Sequence, residues 1–290
     1  MNRLTVETRT LGVLRWVTIA FLLLITVFPF YYMVMLSFVS IEDLQQNPGR
    51  LFIPLKDLTV ETYRLVLADP EKVEGGQNFT LFLRNSTIVA GVATAITMVV
   101  SILGAYAVAR LSFRGRREVS LLFLGVYLFP AIVLAIPLVV LFSKIGLAGS
   151  LIGLVIVYIV QTVPISIHML RNYFETIPLS VEDAAEVDGA KRLTTLRKIT
   201  MPLAMPSIMS TALFVFMIAW NEFLFALLFL AAQPERWTVS LGLSQLANGI
   251  EVPKTVLMAG SVILTVPIVV LYAIAERWLT EGLTGGAEKG

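Results

Sequence analysis

The chain has 290 residues, of which 57% are apolar and 14% charged, and a formal net charge of +2. A charged fraction so far below the roughly one quarter of a soluble domain places the chain in a membrane. No cysteine and a single histidine exclude disulfides, thiol chemistry and any thiolate or His-based metal site, and the near-neutral charge gives no support to nucleic acid as a partner.

Residues 1–15 carry Arg3, Arg9 and Arg15 against Glu7 and precede an apolar run, Trp16 to Phe38, of about 23 residues, enough to cross a hydrocarbon core. Its length reads as a retained span rather than a cleaved signal, with a kink at Pro29. Residues 39–85 are more polar, with turn chemistry at Asn47-Pro48-Gly49 and Gly75-Gly76. Between these turns a short helix is predicted with Thr59 as N-cap, Val60, Tyr63 and Leu67 on one face, and Asp69-Pro70 ending it. A second span, Ser86 to Ala109, is rich in small residues that let membrane helices approach closely. After the basic loop of Arg110, Arg114, Arg116 and Arg117, a third runs from Val119 to Phe142 as one helix bent at Pro130 and Pro137. The fourth covers Leu151 to Leu170 and contains Gln161 and Pro164; His168 near its end reads as a partly wetted, satisfied ring. The loop 172–206, a fifth span from Ile208 to Leu230, a polar segment 231–254, a sixth span from Val256 to Ala275 and the tail 277–290 complete the chain.

The pattern predicts an all-α polytopic protein: six transmembrane helices in one domain, 16–276. The side bearing both ends and the loops after spans two and four holds 14 of the 22 Lys and Arg residues, so the positive-inside rule makes it cytoplasmic and turns 39–85 and 231–254 outward.

The stretch Val181 to Pro206 is a charged island. Ser180 as N-cap with Asp183 three residues on, and acids at 182, 183 and 186, predict a short helix with Val181, Ala184 and Ala185 as an apolar stripe. Gly189 supplies the left-handed residue that ends it, and a basic segment follows with Lys191, Arg192, Arg197 and Lys198. By spacing alone the island is equally a solvated connector or a docking surface for a soluble partner.

The spacing Asp183-Ala184-Ala185, three residues, Gly189, nine residues, Ile199-x-Met201-Pro202 resembles the cytoplasmic E-A-A…G…I-x-L-P loop of permease subunits of binding-protein-dependent ABC importers, with Asp for Glu and Met for Leu. The resemblance implies a coupling helix between spans four and five that sits in a cleft of an ATPase subunit through Asp183, Ala184, Ala185 and Gly189, with Ile199 and Pro202 closing the motif. Glu182 and Asp188, beside the motif, are expected as rim contacts. Ile53-Pro54, Leu58-Thr59 and Tyr63 are similar to a further family stretch, with Thr62 where it has Asn, and Gly282 to Gly290 resembles the family's C-terminal ending. In such a chain the glycosylation patterns at Asn78 and Asn85 are chance matches.

Inside the six spans one acid stands out, Glu222, beside Asn221, and no G-x-x-x-x-G-K-[ST] loop for ATP occurs. The chain is therefore expected to be no enzyme and to hold no cofactor or metal, with ATP and Mg bound by a partner. Trp220, Asn221, Glu222 and Phe225 are candidates for a substrate path, because aromatic faces beside amide and carboxylate groups suit a sugar; helix packing explains the same residues equally well. Ala219-Trp220-Asn221-Glu222-Phe223 resembles the carbohydrate-importer branch, the maltose-type second permease in particular. The resemblance thus implies an importer of a di- or oligosaccharide in a bacterial cytoplasmic membrane, with both termini cytoplasmic, a homologous permease as heterodimer partner, two ATPase subunits and an extracytoplasmic binding protein. The other readings are an importer of the same build for a phosphorylated polyol such as glycerol phosphate, and a self-sufficient secondary carrier or channel using Glu222.

Overall fold

A computed structural model describes residues 3–47, 49–248 and 252–284. Pro48 of the first turn and residues 285–290 of the family-like ending lie outside them. Among the described residues the regular structure is all helical, with no strand: α1 Arg3–Ser37, α2 Ile41–Gln46, α3 Glu61–Leu67, α4 Phe79–Arg110, α5 Arg116–Leu128, α6 Ala131–Lys144, α7 Leu151–Phe174, α8 Leu179–Val187, α9 Arg192–Thr195, α10 Met201–Leu203, α11 Met205–Asn221, α12 Leu224–Leu230, α13 Val239–Asn248 and α14 Lys254–Thr284.

Four stretches are long and apolar enough to cross a membrane, Leu11–Ser37, Phe79–Arg110, Leu151–Phe174 and Lys254–Glu276, and a fifth is added if Arg192–Leu203 and Met205–Asn221, bent by 81°, count as one. The expected six are not reached by this count. The third span is two helices of 13 and 14 residues rather than one. Pro130 is the cause: its ring drives the preceding Phe129 to an extended ψ of 128°, so α5 stops at Leu128 and α6 begins afresh. Pro29, Pro164 and Pro267 sit within continuous helices.

The described chain forms two compact units, one from the residues up to Phe79 with Gln245–Thr265, the other from Thr80–Ser244 with the chain from Val266 onward. In the first, the chain after α1 folds back: Thr59 N–H donates to Phe38 O at 2.7 Å, Thr62 Oγ1 to Val39 O at 3.1 Å, and the Tyr63 and Ser37 hydroxyls share a 2.7 Å bond. Burial raises the Tyr63 phenol above its ordinary value, the bond to Ser37 pulling the other way. The expected face of α3 is corrected here. Thr62 and Val66 are its buried residues while Val60 and Leu67 are exposed, and Val60 rather than Thr59 is the N-cap, although Thr59 Oγ1 still accepts from Glu61 N–H.

In the second unit α7 packs against α5, α11 and α12. Its Ser150 N-cap accepts from Gly153 N–H, and its Thr162 hydroxyl meets Thr97 of α4 at 3.0 Å in the buried seam. Ala105 and Ala109 of α4 pack with Ile167, Leu170 and Phe174 of α7, and an added Cβ at Gly104 would stand 3.0 Å from Ile167 Cδ1, so the small residues set the helix separation.

Residues 231–254, expected to be a polar segment, contain α13, whose Val239 and Leu241 are fully buried. This segment is pinned to α4. Asn85 Nδ2 donates to the carbonyls of Glu235 (3.1 Å) and Trp237 (3.0 Å), Ser86 Oγ accepts from Val239 N–H at 2.8 Å, and Arg236 donates to Gly149 O. Asn85 is 6% exposed with its amide engaged, which closes it to modification. An Asn85→Leu change removes both amide bonds and is expected to cost about 1–3 kcal/mol, read by denaturation in detergent and by faster tryptic cleavage at Arg236.

Candidate functional site

Helix α8 begins at Leu179 behind Pro178, with no side-chain cap. Ser180 therefore lies inside the helix, which corrects the expected capping pattern. The other end agrees with the sequence: Gly189 adopts φ +83°, Gly189 N–H donates to Glu186 O and Ala190 N–H to Ala185 O, the paired bonds of a left-handed helix stop.

The two faces of α8 divide its residues. Asp183, Ala184, Val187 and Asp188 are exposed, Val187 at 88%, and Leu193 beyond the turn is exposed as well. Ala185 points inward and is the helix's one buried apolar residue. Val181, Ala184 and Ala185 thus do not form one stripe. Glu182 also turns inward, away from the exposed residues among which a rim contact is expected. Its carboxylate receives Arg110 Nε at 2.9 Å, Tyr106 O–H at 3.1 Å and Thr200 O–H at 3.1 Å, with only 10% of the Glu182 side chain and 7% of Arg110 exposed. Arg110 also donates to Ile177 O at 2.7 Å. Sequence reasoning placed Arg110 in a basic loop and passed over Tyr106 and Thr200; nothing in their spacing links them to position 182.

Ile199 is half-buried in a π-helical turn, Leu196–Thr200, and Pro202 is exposed in α10. The 81° bend follows at Ala204, and Pro206 sits at the start of α11, where its missing N–H has no partner to lose.

The fifth span breaks between Asn221 and Leu224. Glu222 leaves the helix at ψ 128° and caps α12: Oε1 accepts from Phe225 N–H at 2.8 Å and Oε2 from Ala226 N–H at 3.2 Å. Oε2 further receives the hydroxyl of fully buried Tyr158 at 2.7 Å, and the Glu222 carbonyl accepts from Ser240 at 2.8 Å. The carboxylate is a junction of α7, α11 and α12. Asn221 is exposed and bonds back to Met217 O of its own helix; Trp220 is buried and stacks with Phe216, centroids 5.4 Å apart. A cavity of about 480 Å³ lies where the break between α5 and α6 faces α7, α11 and α12. Phe225 and Gln161 line it, while Trp220, Asn221 and Glu222 do not. His168 has its ring nitrogen 3.2 Å from the Asn172 amide. Among the described residues no three His, Cys, Asp or Glu side chains are disposed to hold a metal ion.

Residues 98–284 match the family described as binding-protein-dependent transport system inner membrane component. The chain is 36% identical over 273 residues, 94% of its own length and 94% of the relative's, to the inner membrane ABC transporter permease protein YcjP of Escherichia coli. It is 38% identical over 271 residues, 92% of this chain and 93% of the relative, to the trehalose/maltose transport system permease protein MalG of Thermococcus litoralis. Its backbone matches, with a TM-score of 0.79 and 24% identity, a solved chain of a bacterial ABC transporter involved in the import of the acidic polysaccharide alginate, over 96% of this chain and 98% of that one. That likeness is one of fold.

Proposed function

The chain belongs to the binding-protein-dependent transport system inner membrane component family, as a multi-pass membrane protein, and from that premise we propose that it is the permease subunit of an ATP-driven importer that brings a carbohydrate into the cell. A di- or oligosaccharide fits best, supported by the similarity to a trehalose/maltose permease and by a cavity lined by apolar side chains and the Gln161 amide. No basic side chain lines that cavity, which speaks against a phosphorylated polyol. The three donors on Glu222 speak against its use as an ion site in a self-sufficient carrier. Phe225 and Gln161 are then the wall of the path nearest the substrate, with Trp220 and Glu222 holding that wall in shape.

The observation that carries the proposal is the outward face of α8. Asp183, Ala184, Val187 and Asp188 form a small, charged-edged knob beside a glycine stop, and the small side chain of Ala184 lets a partner come close. Residues 181–206 dock in the ATPase, which binds ATP and Mg; two such subunits, a homologous permease and an extracytoplasmic binding protein complete the assembly. Both termini and α8 face the cytoplasm. Closure of the ATPase pair moves the docked helix as a rigid body and switches the path between outward and inward access. The test is co-purification from mild detergent, with mass spectrometry of what stays bound. An ATPase is expected with the native chain and lost from Ala184→Glu and Gly189→Pro, while the second permease remains. A chain that purifies alone and moves solute in vesicles overturns the proposal.

A further inference from the structure

Helix α8 is nine residues long and buries one apolar side chain, Ala185, so apolar packing does little to fix it to the membrane domain. What holds it is polar. Glu182 takes three donors from two other elements, Arg110 and Tyr106 on α4 and Thr200 in the π-helical turn, and Arg110 in addition grips the Ile177 carbonyl two residues ahead of α8. With both side chains about nine-tenths covered, breaking the pair leaves a largely buried charge without its partner, so the bonded elements are held to move together. Thr200 stands four residues before the 81° bend into α11, and π-helical turns recur where helices must yield.

Resting on the function proposed above, we infer that Arg110 and Glu182 are positioning residues that weld the docking helix to the end of α4 and, through Thr200, to the base of α11, so that a push from the ATPase reaches the path by α4 as well as along the chain. The covalent route, from α7 through α8 to α11, reaches α4 only through the seam that α4 shares with α7, and the ion pair adds a direct hold at the end of α4. The inward turn of Glu182 frees the opposite face, with Asp183, Ala184 and Val187, for the partner.

The chain has no cysteine, so cysteines placed at Leu179, the first residue of α8 and outside the docking face, and at Leu103 on α4, 59% and 49% exposed, take spin labels selectively before the full complex is reconstituted in lipid. The distance between them, measured with and without ATP and Mg, is expected to stay the same in the otherwise native chain and to become nucleotide-dependent in Glu182→Gln. In that variant the ATPase still co-purifies, and substrate moved per ATP hydrolysed falls roughly tenfold. Thr200→Val, which leaves the ion pair in place, gives a smaller loss of the same kind and stands in should Glu182→Gln fail to fold. A native distance that changes with ATP, with the ATPase bound, overturns the weld and leaves the proposed function intact. So does an unchanged distance with native transport per ATP in Glu182→Gln. Failure of the native chain to retain any ATPase removes the functional reading, and the weld with it.

Discussion

Glu222→Ala is expected to destabilise the membrane domain by about 3 kcal/mol, since it removes the cap of α12, worth about 1, and strands buried donors on α7 and α12 at about 1–3 for each group left unmet. The Tyr158 hydroxyl has no other bond among those described, and it is fully buried. Denaturation in detergent should show the loss as a lower midpoint. Glu222→Gln separates this role from ion coupling. Its amide oxygen can still accept from Phe225 N–H, but its nitrogen cannot accept from Ala226 or Tyr158, so a smaller loss of about 1–2 kcal/mol is expected. Transport per folded complex should persist, with an unchanged response to collapse of the ion gradients. A fully folded Glu222→Gln chain that no longer transports would make the carboxylate part of the transport step itself.

The parts of this site that were legible in the sequence are those fixed by local chemistry. Gly189 could be read as a left-handed stop because few other residues tolerate φ +83°, and the helix does end there. The long apolar runs at α1, α4, α7 and α14 could be read because crossing hydrocarbon demands their length. What stayed hidden was decided by partners distant in the chain. The capping preference of Ser180, about 1 kcal/mol, does not decide the start, since the helix begins at Leu179 behind Pro178, and the partner of Glu182 is Arg110, 72 residues away. A stripe of Val181, Ala184 and Ala185 presumed an apolar neighbour, whereas the buried face of α8 meets a guanidinium. The break after Asn221 carries neither proline nor glycine; a carboxylate that caps the next helix makes it, and a run of apolar residues on both sides masks it. Pro130 announced a bend, but whether a proline bends a helix or ends it depends on whether neighbours satisfy the freed backbone groups, and those neighbours are on other helices.

Asp183→Lys is expected to abolish coupling while leaving the protein in the membrane at its normal level. The two halves of that expectation have separate causes. Asp183 is exposed on α8 and takes no part in the Glu182–Arg110 pair, so its replacement breaks none of that pair's bonds, and a surface change of this kind rarely moves stability appreciably. A cation near the start of the helix opposes the macrodipole only slightly. At the docked surface the effect is far larger, because a partner cleft complementary to the acid meets a like charge on reversal, and like charges brought together at an interface are among the costliest mismatches. ATPase retention should fall on the order of 100-fold for Asp183→Lys and only several-fold for Asp183→Asn, which loses the attraction without adding repulsion. Glu182→Gln gives the contrasting pattern, keeping the ATPase and losing the work done per ATP, because its carboxylate faces Arg110 rather than the partner. Membrane abundance, ATPase retention and transport measured on the same preparations therefore assign different roles to two adjacent acids of one helix. Normal transport by Asp183→Lys at normal abundance would remove the docking role from this face altogether.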